Sequence, residues 1–306
     1  MRFQYSFKKI SSAIHNLLSI VRSFDFERHL LLTGKLAANQ SKSIQTIHRL
    51  SDVEFKVFSQ FGDDGIIQWL AHNIDLPNNT FIEFGVSNYR ESNTRFLLMN
   101  NNWSGFIMDG SQSNIDQIIR SEYFWKHELI AEAAFIDKEN INSLLAKSKF
   151  EKDVGLLHID IDGNDYWVWE AINAITPIIV IIEYNSLFGV ERSITIPYNE
   201  KFVNTKAHHS GLYYGASLLA LDNLCKQKGY SFIGCNSAGN NAYFIRNDKI
   251  NEIIRPTTVE KGYVESKFRQ SRSKQGKLNY LGKKDQLTEI KGMPVYNTIS
   301  KCIEPL

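Results

Sequence analysis

Short apolar runs recur along this chain, and nearly every one closes on an acid. Thr80 to Gly85 carries Glu83 and ends in Gly85, Trp103 to Asp109 ends in its acid, and Leu129 to Phe135 ends near Asp137. Val154 to Ile161 carries Asp160 and breaks at the turn cluster Asp162-Gly163-Asn164-Asp165. Ile178 to Asn185 follows at once and closes on Glu183 and Asn185. Continuous apolar character, with little alternation, is what a parallel strand covered on both faces requires. Between the runs lie stretches that read as helices: Ile66 to Asn73, Asn93 to Asn100, Ser113 to Arg120, Ile141 to Lys147 and Trp167 to Ile172. Strand–helix alternation of this regularity predicts an α/β fold with a doubly wound Rossmann-like sheet.

Open α/β sheets bind their ligands at the carboxyl edge. A single Asp after a strand is usually a helix cap or a solvated loop residue. Asp160, Asp162, Asp165 and Glu183 crowd two neighbouring strand ends, which favours a site. Gly85 lets backbone approach a ligand closely, and Asp109 comes 26 residues after Glu83, roughly where such folds bind a ribose. No Gly-x-Gly-x-x-Gly and no Walker lysine motif is present, so a phosphate-bearing dinucleotide is poorly matched. A nucleoside without phosphates fits better, S-adenosylmethionine being the common one.

Composition narrows the class further. The chain has 306 residues, 43% hydrophobic and 22% charged, with a net charge of +2 that does not point to nucleic acid. Cys225, Cys235 and Cys302 have no metal-ligand spacing, which suggests a reducing, cytoplasmic compartment. No run approaches the roughly 18 apolar residues of a membrane span. Residues 1–50 read as a helical segment with a break at Ala37 to Ser43. Within it, Ile10, Ile14, Leu17, Leu18 and Val21 share a helical face among Lys8, Lys9, His15 and Arg22. Polar interruptions argue against a signal peptide. The helix is expected to pack on its own domain, with docking on a membrane surface or a second copy in a homo-oligomer as the alternatives.

At this point the sequence resembles the FkbM-type class I S-adenosylmethionine-dependent methyltransferases. The matching stretches are Ser59 to Gly65, Phe81 to Gly85, Gly105 to Asp109, His158 to Gly163, Ile181 to Asn185, Tyr214 to Leu221 and Gly229 to Cys235. They run from about Phe55 to Arg246. One departure stands out: the family's Gly-x-Gly after the first strand is Gly85-Val-Ser87 here. The resemblance implies a methyltransferase domain over residues 51–250, flanked by the helical segment 1–50 and a basic extension, 251–306, that could act as an acceptor-binding lid. It implies that Glu83, Gly85 and Asp160 lie along the cofactor, that Asp109 accepts from the ribose hydroxyls, and that Asp137 falls near adenine. The Ser59 to Gly65 loop would cover the cofactor through Gln60 and Asp64, unless Asp63 or Asp64 simply caps the following helix.

A sugar hydroxyl is a poor nucleophile until a base or a metal acts on it. By similarity to macrocin-type sugar O-methyltransferases, Asp162 is the expected base, with Asp160, Glu183 and, less strongly, Asn185 as magnesium or manganese ligands. The alternative is a metal-free site in which Glu183 binds a substrate hydroxyl. His208 is the second candidate base; His208-His209 otherwise reads as solvated loop. His158, inside its strand, reads as a hydrogen-bonded core residue. Residues 255–291 hold ten basic and four acidic residues, a local balance of +6, interleaved with Tyr263, Phe268 and Tyr280. That is either a solvated appendage or a lid over an anionic acceptor. The expected activity is O-methylation of a sugar of a surface glycan (capsule or lipopolysaccharide type) or of its nucleotide-sugar precursor. The alternatives are N-methylation of an amino sugar or other small molecule, and a non-catalytic module that kept the fold.

Overall fold

The computed structural model describes residues 26–306. The amphipathic pattern from Ile10 to Val21 lies outside the described residues. Ten strands are present among those described: β1 (Thr80–Phe84), β2 (Ser104–Asp109), β3 (Leu129–Ala133), β4 (Leu156–Ile159), β5 (Ile179–Glu183), β6 (Ile194–Thr195), β7 (Tyr230–Cys235), β8 (Asn241–Arg246), β9 (Pro294–Asn297) and β10 (Cys302–Pro305). Seven form one sheet in the order β3-β2-β1-β4-β5-β8-β7. The first five strands run parallel, and β8 is antiparallel to both β5 and β7. The order reverses between β1 and β4, which is where a doubly wound sheet opens a crevice at its carboxyl edge.

The period-two geometry of strands divides the apolar runs cleanly between two cores. Ile82, Phe84, Phe106, Met108, Leu157, Ile159, Val180 and Ile182 face one side, under the helices Ile141–Ala146, Asp165–Ala171 and Leu218–Gln227. Phe81, Ile107, Leu156, Ile179 and Ile181 face the other, under Asp63–Asn73, Arg95–Asn101 and Gln112–Ile119. Glu83, Asp109, His158, Asp160 and Glu183 share the parity of the second set. The strands therefore deliver their acids to one side of the sheet edge.

The expected break at Ala37 to Ser43 is displaced. Residues 26–41 are helical. Ala37 and Ala38 are good helix formers, and Ser41 bonds back to the carbonyl of Ala38 at 2.9 Å. Ala38 packs with Val57, Phe58 and Phe96, so this helix is part of the body of the fold. The C-terminal extension is likewise built in. Its β9 and β10 pair with β6 in a three-stranded antiparallel sheet, and Ile290 and Val295 are buried with Ile194, Ile196, Leu212 and Tyr213. Among the described residues, no helix is long and apolar enough to cross a membrane, and Cys225, Cys235 and Cys302 are free thiols.

Candidate active site

A cavity of about 290 Å³ opens at the carboxyl ends of β1, β2, β3 and β4. Its wall includes Gly85, Ser87, Asp109, Phe135, Asp160 and Asp162. Gly85 is needed for the strand ends to meet. Its φ is +72°, and a Cβ there would lie 1.7 Å from the backbone oxygen of Asp160. Ser87, where the family has its second glycine, takes φ +49° and donates its N–H to Asp109 Oδ2 at 2.8 Å. The departure from Gly-x-Gly thus leaves the turn intact. Asp109 Oδ1 accepts from Ser111 N and Asn114 Nδ2, both at 2.9 Å. About one of the four lone-pair positions of a carboxylate is left, on Oδ2, for a ligand hydroxyl.

The acids of the next two strands converge. One oxygen from each of Asp160, Asp162 and Glu183 lies within 4.8 Å of the other two. Glu183 Oε2 is buried without a hydrogen-bond partner. Among the described residues no Lys or Arg pairs with these acids, and the nearest positive influence is His158. Burial pushes the Asp160 carboxyl up to about 7, with the neighbouring acids adding to it and His158 opposing. Burial also raises Asp162, which is exposed on the cavity wall and accepts from Asn204 Nδ2 at 3.3 Å. Glu183 is raised well above the carboxylate range, first by burial and then by Asp160, Asp162 and Asp165. Asp162 sits at φ +56°, unusual for a residue with a side chain, and such outliers cluster at functional sites.

Several expected site residues are spent on the fold. Glu83 is 2% exposed and accepts from Ser92 Oγ at 2.6 Å, Asn93 N at 2.9 Å and the Thr94 hydroxyl. His158 Nδ1 lies 3.0 Å from Glu83 Oε1, and its Nε2 lies 3.1 Å from Asn93 Nδ2. The Glu83 carboxylate therefore has no side toward the cavity, whereas His158 is the hydrogen-bonded core residue expected. Asp64 Oδ2 accepts from the N–H groups of Val57, Phe58 and Ser59 and from Ser59 Oγ, all within 2.8 Å, and so closes its own loop, while its Oδ1 is buried without a partner. Asp63 ties that loop to the β7–β8 hairpin by accepting from Asn236, Asn241 and Tyr243. Gln60 is exposed and lines neither this cavity nor the one described below. Asp137 accepts from Glu139 N and Asn140 N, a local turn, and the cavity wall at this height is Ala134, Phe135 and Ile136 instead.

Asn185 is also occupied. Its Nδ2 donates to the carbonyls of Leu212 and Tyr214, and its Oδ1 accepts from Leu187 N, so Asp162 takes its place in the candidate ligand set. Asp165 accepts from Ile161 N and Gly163 N at 2.9 Å each and holds the turn that presents Asp162. His208 lines neither cavity. Its Nδ1 lies 2.8 Å from Ser210 Oγ, and burial followed by the neighbouring His209 holds its imidazole below the usual value. His209 is paired with Glu289.

Sequence reasoning passed over Asn164 and Tyr214 as site residues. Asn164 Oδ1 is a buried acceptor without a partner in the cavity wall. Tyr214, whose phenol is pushed up first by burial and then by the charges of Glu183, Asp162 and Asp160, lines a second cavity, of about 190 Å³, shared with Lys267 and Arg269 of the basic segment. Both residues lie in stretches already singled out, the acidic turn and the Tyr214 to Leu221 motif.

The strand order, the antiparallel β8 and the crevice between β1 and β4 define a Rossmann-like class I methyltransferase fold. No family model matches the chain, and no curated protein matches it. Solved structures similar to it include the N-terminal domain of EvdMO1 with SAH bound, at 8% identity, covering 55% of this chain and 73% of that one with a TM-score of 0.35. Another is an S-adenosylmethionine-dependent methyltransferase from Clostridium acetobutylicum ATCC 824, at 11% identity over 60% and 90% of the chains, TM-score 0.37. A third is an O-methyltransferase family protein from Burkholderia thailandensis, at 10% identity over 79% and 71%, TM-score 0.35. At these low scores the fold assignment rests on the strand order and register.

Proposed function

We propose that this chain is an S-adenosylmethionine-dependent O-methyltransferase of the FkbM type, acting in the cytoplasm on a sugar hydroxyl of a surface glycan or its precursor. The observation that carries this reading is that one cavity is walled by both Asp109 and the Asp160–Asp162 strand end. Cofactor-holding and proton-accepting groups then face the same space. The residues present fit the cofactor. Asp109 retains an acceptor position for a ribose hydroxyl, Asn164 Oδ1 is a buried acceptor awaiting a donor, and Phe135, 51% exposed, offers a ring face to adenine. Three acids on the wall and no cation suit a ligand that carries a sulfonium. When bound, the cofactor supplies the electrophilic methyl group.

Asp162 takes the proton from the acceptor hydroxyl, since it is the member of the acidic cluster most open to the cavity. The raised proton affinities of Asp160 and Asp162 bring them toward the range useful to a general base at neutral pH. The cluster also fits a hard divalent cation: three carboxylates converge, one oxygen is unpartnered, and no Lys or Arg among the described residues neutralises them. Asp160, Glu183 and one oxygen of Asp162 would hold magnesium or manganese, leaving the other Asp162 oxygen to take the proton from an acceptor hydroxyl that the ion would make easier to deprotonate.

The test is single-turnover transfer of labelled methyl from S-adenosylmethionine to a panel of nucleotide sugars. Asp162→Asn should lower the rate by about 10²–10⁴-fold while leaving cofactor affinity within a few-fold. An unchanged rate would make Asp162 a turn residue, and collapse of cofactor binding would move it into the cofactor site.

A further inference from the structure

The second cavity differs in sign from the first. Asp109, Asp160 and Asp162 line the first, which has no Lys or Arg on its wall. The second lies between the turn after β5 and the basic segment, and its wall carries Lys267, Arg269, Lys283 and a single acid, Glu265. Glu265 is already neutralised by Lys283. Lys267 and Arg269 have no carboxylate partner among the described residues, so two positive charges are left uncompensated at the mouth. Ser266 lies between the ends of this charge pattern, and its hydroxyl is buried without a hydrogen-bond partner, although its N–H is held by Ser186 Oγ at 3.1 Å. A buried hydroxyl left unpaired is unfavourable, and a bound oxyanion would satisfy it.

The segment that carries these groups is fixed in place. Phe268 stacks on Phe61 of the Ser59–Gly65 loop with ring centroids 5.4 Å apart and planes 9° apart. A Cβ on Gly239 would lie 2.6 Å from the backbone of Glu265 and Ser266, so the hairpin between β7 and β8 packs directly against this stretch. The basic cavity borders the acidic cluster through the chain: Asn185, on its wall, follows Glu183 by two residues and donates its Nδ2 to the Tyr214 carbonyl at 3.0 Å.

We infer that the basic cavity is the acceptor's phosphate subsite, in which Lys267, Arg269 and the Ser266 hydroxyl hold a phosphate ester while the reacting hydroxyl reaches toward Asp162. This inference rests on the methyltransferase reading above and adds to it the class of acceptor, a phosphorylated sugar. A cationic anchor beside an acidic centre also orients the acceptor. Its phosphate is repelled by the carboxylates and its neutral hydroxyl is not. A phosphate can come from a sugar monophosphate or from a nucleotide-diphosphate sugar, and the two differ in whether a second phosphate is engaged.

The experiment uses the full chain with inorganic phosphate and inorganic pyrophosphate as probes, binding being followed by calorimetry and SAH binding measured in parallel. The double variant Lys267→Gln/Arg269→Gln should weaken binding of the preferred probe by at least about tenfold, and Ser266→Ala by a smaller factor. The control Lys284→Gln/Lys291→Gln removes two exposed charges of the same segment outside the cavity and should change binding less than about twofold. Preference for pyrophosphate assigns a diphosphate acceptor, and equal binding assigns a monoester; both support the subsite. Absence of binding by either probe, or equal loss in the control, overturns it. SAH bound by every variant with pyrophosphate indifferent to Lys267 and Arg269 removes the subsite and leaves the cofactor reading standing. Failure of the wild type to bind SAH removes that reading instead.

Discussion

The backbone N–H of Ser87 donates to Oδ2 of Asp109 at 2.8 Å, across the gap between the ends of β1 and β2. The turn that makes this contact starts at Gly85, whose N–H donates to the carbonyl of Met108 at 2.9 Å. Gly85→Ala should destabilise the protein by about 2–4 kcal/mol, because a Cβ meets the Asp160 carbonyl and φ +72° is unfavourable for a side chain. Urea unfolding of the two proteins measures it. A change under about 0.5 kcal/mol would mean that the ends of β1 and β4 can part without loss.

The acidic cluster gives a second prediction. Manganese or magnesium should stabilise the wild type, by about 2.7 kcal/mol at a concentration a hundred times the dissociation constant. Glu183→Gln should remove most of that gain, because it takes one of three converging carboxylates away. Chelation should abolish turnover, with restoration by either metal. Melting temperatures indifferent to both metals would leave the cluster as carboxylates that share protons.

The Glu83–His158 pair gives a pH dependence. Burial alone would raise Glu83 and lower His158; the bond between them, with the Ser92 and Thr94 hydroxyls on the acid, reverses both, so Glu83 lies below 4.5 and His158 above 6.5. A carboxyl held low contributes stability that is present above its unfolded value and lost as pH falls through the folded one. An imidazole held high contributes stability that is present below its unfolded value and lost as pH rises through the folded one. The pair should therefore stabilise most between pH 4.5 and 6.5. Glu83→Gln should cost about 3–5 kcal/mol in that window and flatten both limbs of the difference curve. Parallel pH profiles for the two proteins would contradict the ionised pair.

Much of this fold was legible because apolar runs that end in acids have few other uses. The five parallel strands and the crowding of Asp160, Asp162 and Glu183 were readable from local pattern. Which acids the fold consumes was not, because their partners are remote in sequence. Glu83 meets His158 across 75 residues, and Asp63 meets Tyr243 across 180. Asn185 read as a ligand because nothing local reveals that the carbonyls of Leu212 and Tyr214 return to it. For Asp137 and Asp64 local pattern leaves two readings, because their partners are near neighbours and capping and ligand contact draw on the same residue types. Basic composition pointed to residues 255–291, but only the chain path brings Lys267 and Arg269 beside Tyr214.

The central claim is that the cavity at the ends of β1, β2 and β4 holds an S-adenosyl nucleoside on Asp109. Calorimetric titration of the wild type and Asp109→Ala with SAH tests it most directly. Saturable one-to-one binding by the wild type, weakened at least about tenfold in the variant, is the predicted result, the scale expected for losing a charge-assisted hydrogen bond. No binding by the wild type, or equal affinity in the two proteins, would contradict it.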